Sequence, residues 1–93
     1  MILKQRVVIR NIAGEFIAVP VKAGQNSFEG VLTTNEVGAF ILEMLKNEIS
    51  FSDLVSALAS EFDVDAATAE NDALHFVEKL RQSGLMDSEG GTL

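Results

Sequence analysis

Apolar and polar positions alternate in the first third of the chain and change to a helical period after it. Residues 5–12 (QRVVIRNI) are rich in β-branched side chains, with Val7 and Ile9 on one face and Arg6, Val8 and Arg10 on the other, the pattern of a half-buried strand. Ala13-Gly14 supplies a turn, since glycine reaches positive φ without steric cost. Residues 15–21 (EFIAVPV) predict a second strand, with Pro20 near its end or on an unpaired side because it lacks an N–H. Residues 22–27 (KAGQNS) read as a loop, and residues 28–33 as a third strand. Short connections favour an antiparallel meander with the second strand central and the other two at the edges.

The remainder predicts three helices. Thr33 with Glu36 three residues on has capping-box spacing, so the first helix is expected over about Thr34–Asn47, with Val37, Phe40, Ile41, Met44 and Leu45 as its apolar stripe. Ser50 caps the second, whose stripe is Leu54, Val55, Leu58 and Phe62. Asp65 caps the third, expected over Ala66–Ser83 with Ala69, Ala73, Phe76, Val77 and Leu80 facing the core. Gly84 ends it in a left-handed conformation, and Leu85 and Met86 fold back onto the core. Residues 88–93 are Gly-rich and read as a frayed tail. Leu74 falls outside the core face beside Glu70 and Arg81, and His75 lies opposite it, where a solvated side chain is the plain expectation.

Ninety-three residues fit one domain, and 47% hydrophobic content is enough to build a core. The absence of cysteine excludes disulfides, thiolate chemistry and cysteine-ligated metals; one histidine cannot form a metal cluster alone, and with His75 read as solvated no Ser-His-Asp set is expected. Glu61, Asp63 and Asp65 lack the order of a calcium loop and fit a helix end, a turn and a cap. No phosphate-binding glycine motif occurs, so neither a cofactor nor catalysis is expected. No signal peptide or membrane span is expected, which points to the cytoplasm. The net charge of −7 is unevenly spread. Residues 1–33 hold four basic and two acidic residues, net +2; residues 34–93 hold three basic and twelve acidic residues, net −9. That field opposes nucleic acid, and it speaks against a DNA-reading third helix with Glu70, Asp72 and Glu78 beside Lys79 and Arg81. A small domain of this composition is expected to bind something. An edge strand accepts an extended peptide or a second copy equally well, which leaves a homodimer open.

The sequence resembles the PqqD-like family of peptide-binding domains, also called RiPP recognition elements. The resemblance lies in Arg10 and Gly14-Glu15-Phe16, then in Gly30-Val31-Leu32-Thr33 running into Asn35-Glu36-Val37-Gly38-Ala39-Phe40-Ile41. It continues through Leu54, Leu58 and Glu61-Phe62-Asp63-Val64 to Ala69, Asp72-Ala73, Phe76-Val77, Leu80 and Gly84-Leu85, covering about residues 4–87. The chain departs from the pattern at Thr34, where the family has leucine, which predicts a weakened core contact and a shifted helix start.

The resemblance implies an α+β, winged helix-turn-helix-like fold: a three-stranded antiparallel sheet followed by three helices, over residues 1–87. It implies non-catalytic binding of the leader segment of a ribosomally made precursor peptide, added as a strand along the third strand and presented to a modifying enzyme, often a radical SAM protein. The implied site is Glu29, Gly30, Val31, Leu32 and Thr33 as acceptor strand, with Glu70, Leu74 and Arg81 as groove wall. Asp72 matches the family pattern with its role open between helix support and peptide contact. The basic strand half suits an acidic leader. The alternative reading is a structural or regulatory subunit that binds a protein partner without a leader.

Overall fold

A computed structural model describes residues 1–4, 6–21 and 32–86. The predicted loop 22–27, the first part of the predicted third strand (28–31) and the tail 88–93 lie outside the described residues.

Strands β1 (Arg6–Ile12), β2 (Glu15–Val21) and β3 (Leu32–Thr34) form one antiparallel sheet in the order β1-β2-β3, so the central position of β2 is as expected. The β1–β2 turn is two residues long, with Ala13 at φ 54° and Gly14 at φ 87°. Two positive φ values give the primed twist that matches right-twisted strands. The Asn11 side-chain oxygen accepts a hydrogen bond from the Gly14 N–H at 3.2 Å, which closes the turn.

Helices α1 (Glu36–Met44), α2 (Phe51–Phe62) and α3 (Ala66–Gln82) follow. The expected capping of α1 by Thr33 is corrected: Asn35 is the cap, and its side chain accepts from the Gly38 N–H at 2.9 Å. Thr33 and Thr34 instead continue β3, opposite Ile17 and Phe16. Their β-branched side chains suit the pleat, while the short Asn35 side chain reaches back over the first turn. Helix α1 also ends sooner than expected, at Met44, because Lys46 and Asn47 bond to Glu43 and Met44 in a tightened turn. Ser50 and Asp65 cap α2 and α3 as expected, accepting from Asp53 N–H at 3.0 Å and Thr68 N–H at 2.8 Å. At the end of α3, Leu85 N–H bonds to Leu80 C=O and Gly84 N–H to Arg81 C=O, with Gly84 at φ 86°. These two bonds are the Schellman pattern, which turns Leu85 and Met86 inward, where both are buried.

The helices cover one face of the sheet. Val7, Ala18 and Leu32 meet Ile41, Leu42, Leu45, Leu54, Leu58, Val77, Leu80 and Leu85 in one cluster. Helix α1 touches β2, β3, α2 and α3, so Ala39 and Leu42 are buried besides the stripe its spacing suggested. Phe40 and Phe62 pack edge to face at 5.6 Å. The N-terminal segment is tied to the helices by Leu3 N–H to Leu45 C=O and Lys4 N–H to Leu85 C=O. No described helix is long and apolar enough to cross a membrane.

The Asp65 cap has a pH signature. The hydrogen bonds from the Thr68 side chain and backbone hold its carboxyl below the ordinary value of 3.8. A carboxylate depressed in the folded state contributes stability above its ordinary pKa and loses it as pH falls through the depressed folded value. Asp65→Asn keeps a capping oxygen but removes this proton linkage. Urea denaturation from pH 6 to pH 2 should therefore show a shallower acid-side loss of stability in the variant than in the parent.

Candidate functional site: the β3 edge and the α1–α3 cleft

The site begins with the register of the first hairpin. Ile12 and Glu15 flank a two-residue turn and so form a hydrogen-bonded pair. Alternation along the ladder then aims the backbone groups of Phe16, Ala18 and Pro20 away from β1. This explains a proline in a central strand: opposite Val7 its missing N–H takes no bond from the β1–β2 ladder. Phe16 and Ala18 face Thr34 and Leu32, so Thr33 between them directs its own N–H and C=O to the outer side of β3. Leu32 is buried beneath the sheet, and Thr33 is exposed. The other expected acceptor positions, Glu29, Gly30 and Val31, lie outside the described residues.

Where β3 passes into α1, a cleft of about 280 Å³ opens toward α3. Asn35, Val37 and Gly38 line one side, and Asp72, His75, Phe76 and Lys79 the other. Gly38 is what lets the walls approach. A Cβ at this position would overlap the Thr34 hydroxyl and stand 2.7 and 3.0 Å from the Phe76 ring atoms Cε1 and Cζ. Thr34 thus packs its hydroxyl over a glycine, and α1 starts after it at Glu36. The floor of the cleft is apolar at Val37 and Phe76. Its rim carries the opposite charges of Asp72 and Lys79 and the imidazole of His75.

The cleft draws on one flank of α3. Asp72, Phe76 and Lys79 repeat at i, i+4 and i+7. Glu70, Leu74 and Arg81 stand on the other flank, across the buried ridge of Ala69, Ala73, Val77 and Leu80. Leu74 is 52% exposed and Glu70 is also exposed. Arg81 pairs with Glu78 at 3.2 Å, and its Nε is buried without a hydrogen-bond partner among the described residues. The structure therefore brings Leu32 and Thr33 to the edge, gathers Asp72 with His75, Phe76 and Lys79, and leaves Glu70, Leu74 and Arg81 on the far flank. Phe76 is half-buried against the core and His75 is exposed, as expected, but sequence reasoning did not bring the two to one cleft. The signal it passed over was a glycine inside an apolar helix, which marks a close approach by another element. Among the described residues, no three acidic, histidine or cysteine side chains converge as a metal site.

The family model described as coenzyme PQQ synthesis protein D (PqqD) matches residues 8–86. A solved structure entitled "TbiB1 in Complex with the TbiA(beta) Leader Peptide" superposes with a TM-score of 0.69 at 24% sequence identity, covering 95% of this chain and 96% of that one. No curated protein sequence matches the chain at comparable significance.

Proposed function

The chain belongs to the PqqD family, and we propose that it binds the leader segment of a ribosomally made precursor peptide by adding it as a strand to β3. The observation that carries this reading is the outward-facing backbone of Thr33, two residues before Asn35 in the wall of the α1–α3 cleft. Glu29–Thr33 is the acceptor edge, and each main-chain hydrogen bond contributes about 0.5–1.5 kcal/mol, largely independent of leader sequence. Specificity comes from side chains of the added strand that enter the cleft. Val37 and Phe76 receive an apolar group, and Lys79 favours an acidic neighbour. TbiB1, of the same fold, is titled as a complex with a leader peptide, which supports the same mode here.

No chemistry is performed in this reading. Residues 1–87 act as the binding domain, with 88–93 as a tail. A modifying enzyme, of the radical SAM class or another, supplies catalysis, and holding the leader raises the concentration of the attached core segment at its active site. The setting is the cytoplasm, where ribosomal precursors are made.

The test is titration of the isotope-labelled chain with the leader peptide encoded by a short reading frame beside its gene. Resonances of Leu32–Thr34 and of Asp72, His75, Phe76 and Lys79 should shift together, while Glu70, Leu74 and Arg81 serve as far-flank controls. Shifts confined to the far flank would discard this cleft as the groove wall. Absence of binding with and without the modifying enzyme would instead favour a regulatory subunit that takes no leader.

A further inference from the structure

Among the described residues β1 is a second open edge of the sheet, and its chemistry differs from that of β3. The same alternation that frees Thr33 directs the backbone groups of Val7, Ile9 and Asn11 away from β2. Along that edge lies a cavity of about 650 Å³ of mixed character: Ile2, Leu3, Val7, Val8 and Ile9 line it together with Lys4, Arg6, Glu43 and Lys46. On the outer face of the sheet, Arg6, Val8, Arg10 and Ile12 alternate with the core-facing positions. Val8 is 40% and Ile12 56% exposed, and nearby Ile2 is 46% exposed. Arg6 and Arg10 are exposed and make no ion pair among the described residues. These cations sit in a chain whose net charge is −7.

We propose that the β1 edge is a second docking surface, which receives an acidic extended segment of a partner protein. The outer face reads cation, apolar, cation at Arg6, Val8 and Arg10. It complements a strand that carries acid, apolar, acid at alternate positions, with the intervening apolar side chains meeting Leu3, Val7 and Ile9 in the cavity along the edge. A second copy of this chain is a poor occupant. Antiparallel pairing of two β1 edges about Val8 would set Arg6 against Arg10 across the interface, and like charges directly opposite are destabilising. In that register the two arginines oppose self-pairing, and in any register they favour an acidic strand over a basic one. Resting on the leader-binding reading for β3, the inference makes the sheet a bridge: leader on one edge, the modifying enzyme's acidic segment on the other, with β2 between them.

The experiment uses the full chain and two blocked peptides, one carrying Glu-Leu-Val-Leu-Glu and one carrying Lys-Leu-Val-Leu-Lys. The acidic peptide should shift the amide resonances of Val7, Ile9 and Asn11 in a saturable way, and the basic peptide should not. Charge reversal at both positions, Arg6→Glu with Arg10→Glu, should weaken acidic-peptide binding at this edge by about tenfold or more at low salt. Leader-induced shifts at Leu32–Thr34 should persist in that variant. Equal response to both peptides, shifts confined to β3 and α3, or β1 shifts that grow with the chain's own concentration would each overturn the proposal. Leader binding is read at different residues, so its failure is separable from failure at β1.

Discussion

Replacing Gly38 by valine should destabilise the fold by about 3 kcal/mol, the upper range for forcing added bulk into a packed site. For a domain of this size that corresponds to a fall in melting temperature of roughly 12–24 °C. Elsewhere in a helix interior, glycine is the poorer residue and substitution gains stability. Here the first added carbon already overlaps the Thr34 hydroxyl and crowds the Phe76 ring. The two γ-methyls of valine add to a gap that is already filled. Thermal and urea denaturation would read the loss, and combining the change with Thr34→Ala should restore part of it, because one of the two obstructing groups is then gone. If the valine variant matched the parent in stability, the close approach of β3, α1 and α3 assigned to Gly38 would be wrong.

Thr33→Pro should abolish leader binding, with affinity lower by at least about tenfold, while leaving the fold nearly as stable as the parent. The two effects separate because the Thr33 N–H points away from β2. Proline removes no bond of the existing ladder, and edge strands tolerate it. An added strand would lose a donor and meet the pyrrolidine ring, and a leader carbonyl would be left unpaired, at a cost of about 1–3 kcal/mol. Leader titration by fluorescence anisotropy, alongside circular dichroism of the variant, would check both halves. Undiminished binding would move the docking site off this edge. A matching loss of fold would show that the Thr33 N–H belongs to the internal ladder.

The elements most legible in the sequence were those with local causes. The Ala13-Gly14 turn, the Ser50 and Asp65 caps and the Gly84 stop all depend on a few neighbouring residues, and each lies where the pattern placed it. The start of α1 was misread for an instructive reason. Thr33, Thr34 and Asn35 are all plausible caps by residue type, and only the pairing of the two threonines with Ile17 and Phe16 selects Asn35. Which flank of α3 borders the α1–α3 cleft was not legible, on similar grounds. A helical wheel separates the Leu74 flank from the Phe76 flank, but it does not say which flank looks toward the sheet edge. The Arg81 guanidinium, paired with Glu78 on its own helix, carries no mark in the sequence of the flank on which it stands.

Hydrophobic period, turn chemistry and caps alone determined the order of three strands and three helices, the uneven charge of the two halves and the family resemblance. Tertiary structure alone decided that the cleft is built from Asn35, Val37 and Gly38 against Asp72, His75, Phe76 and Lys79, with Glu70, Leu74 and Arg81 on the other flank of α3. The physical reason is range. Caps and periods act over one or two turns, whereas the depth of the cleft depends on a missing side chain at Gly38 meeting a ring from a distant helix, a contact that exists only once the core has closed.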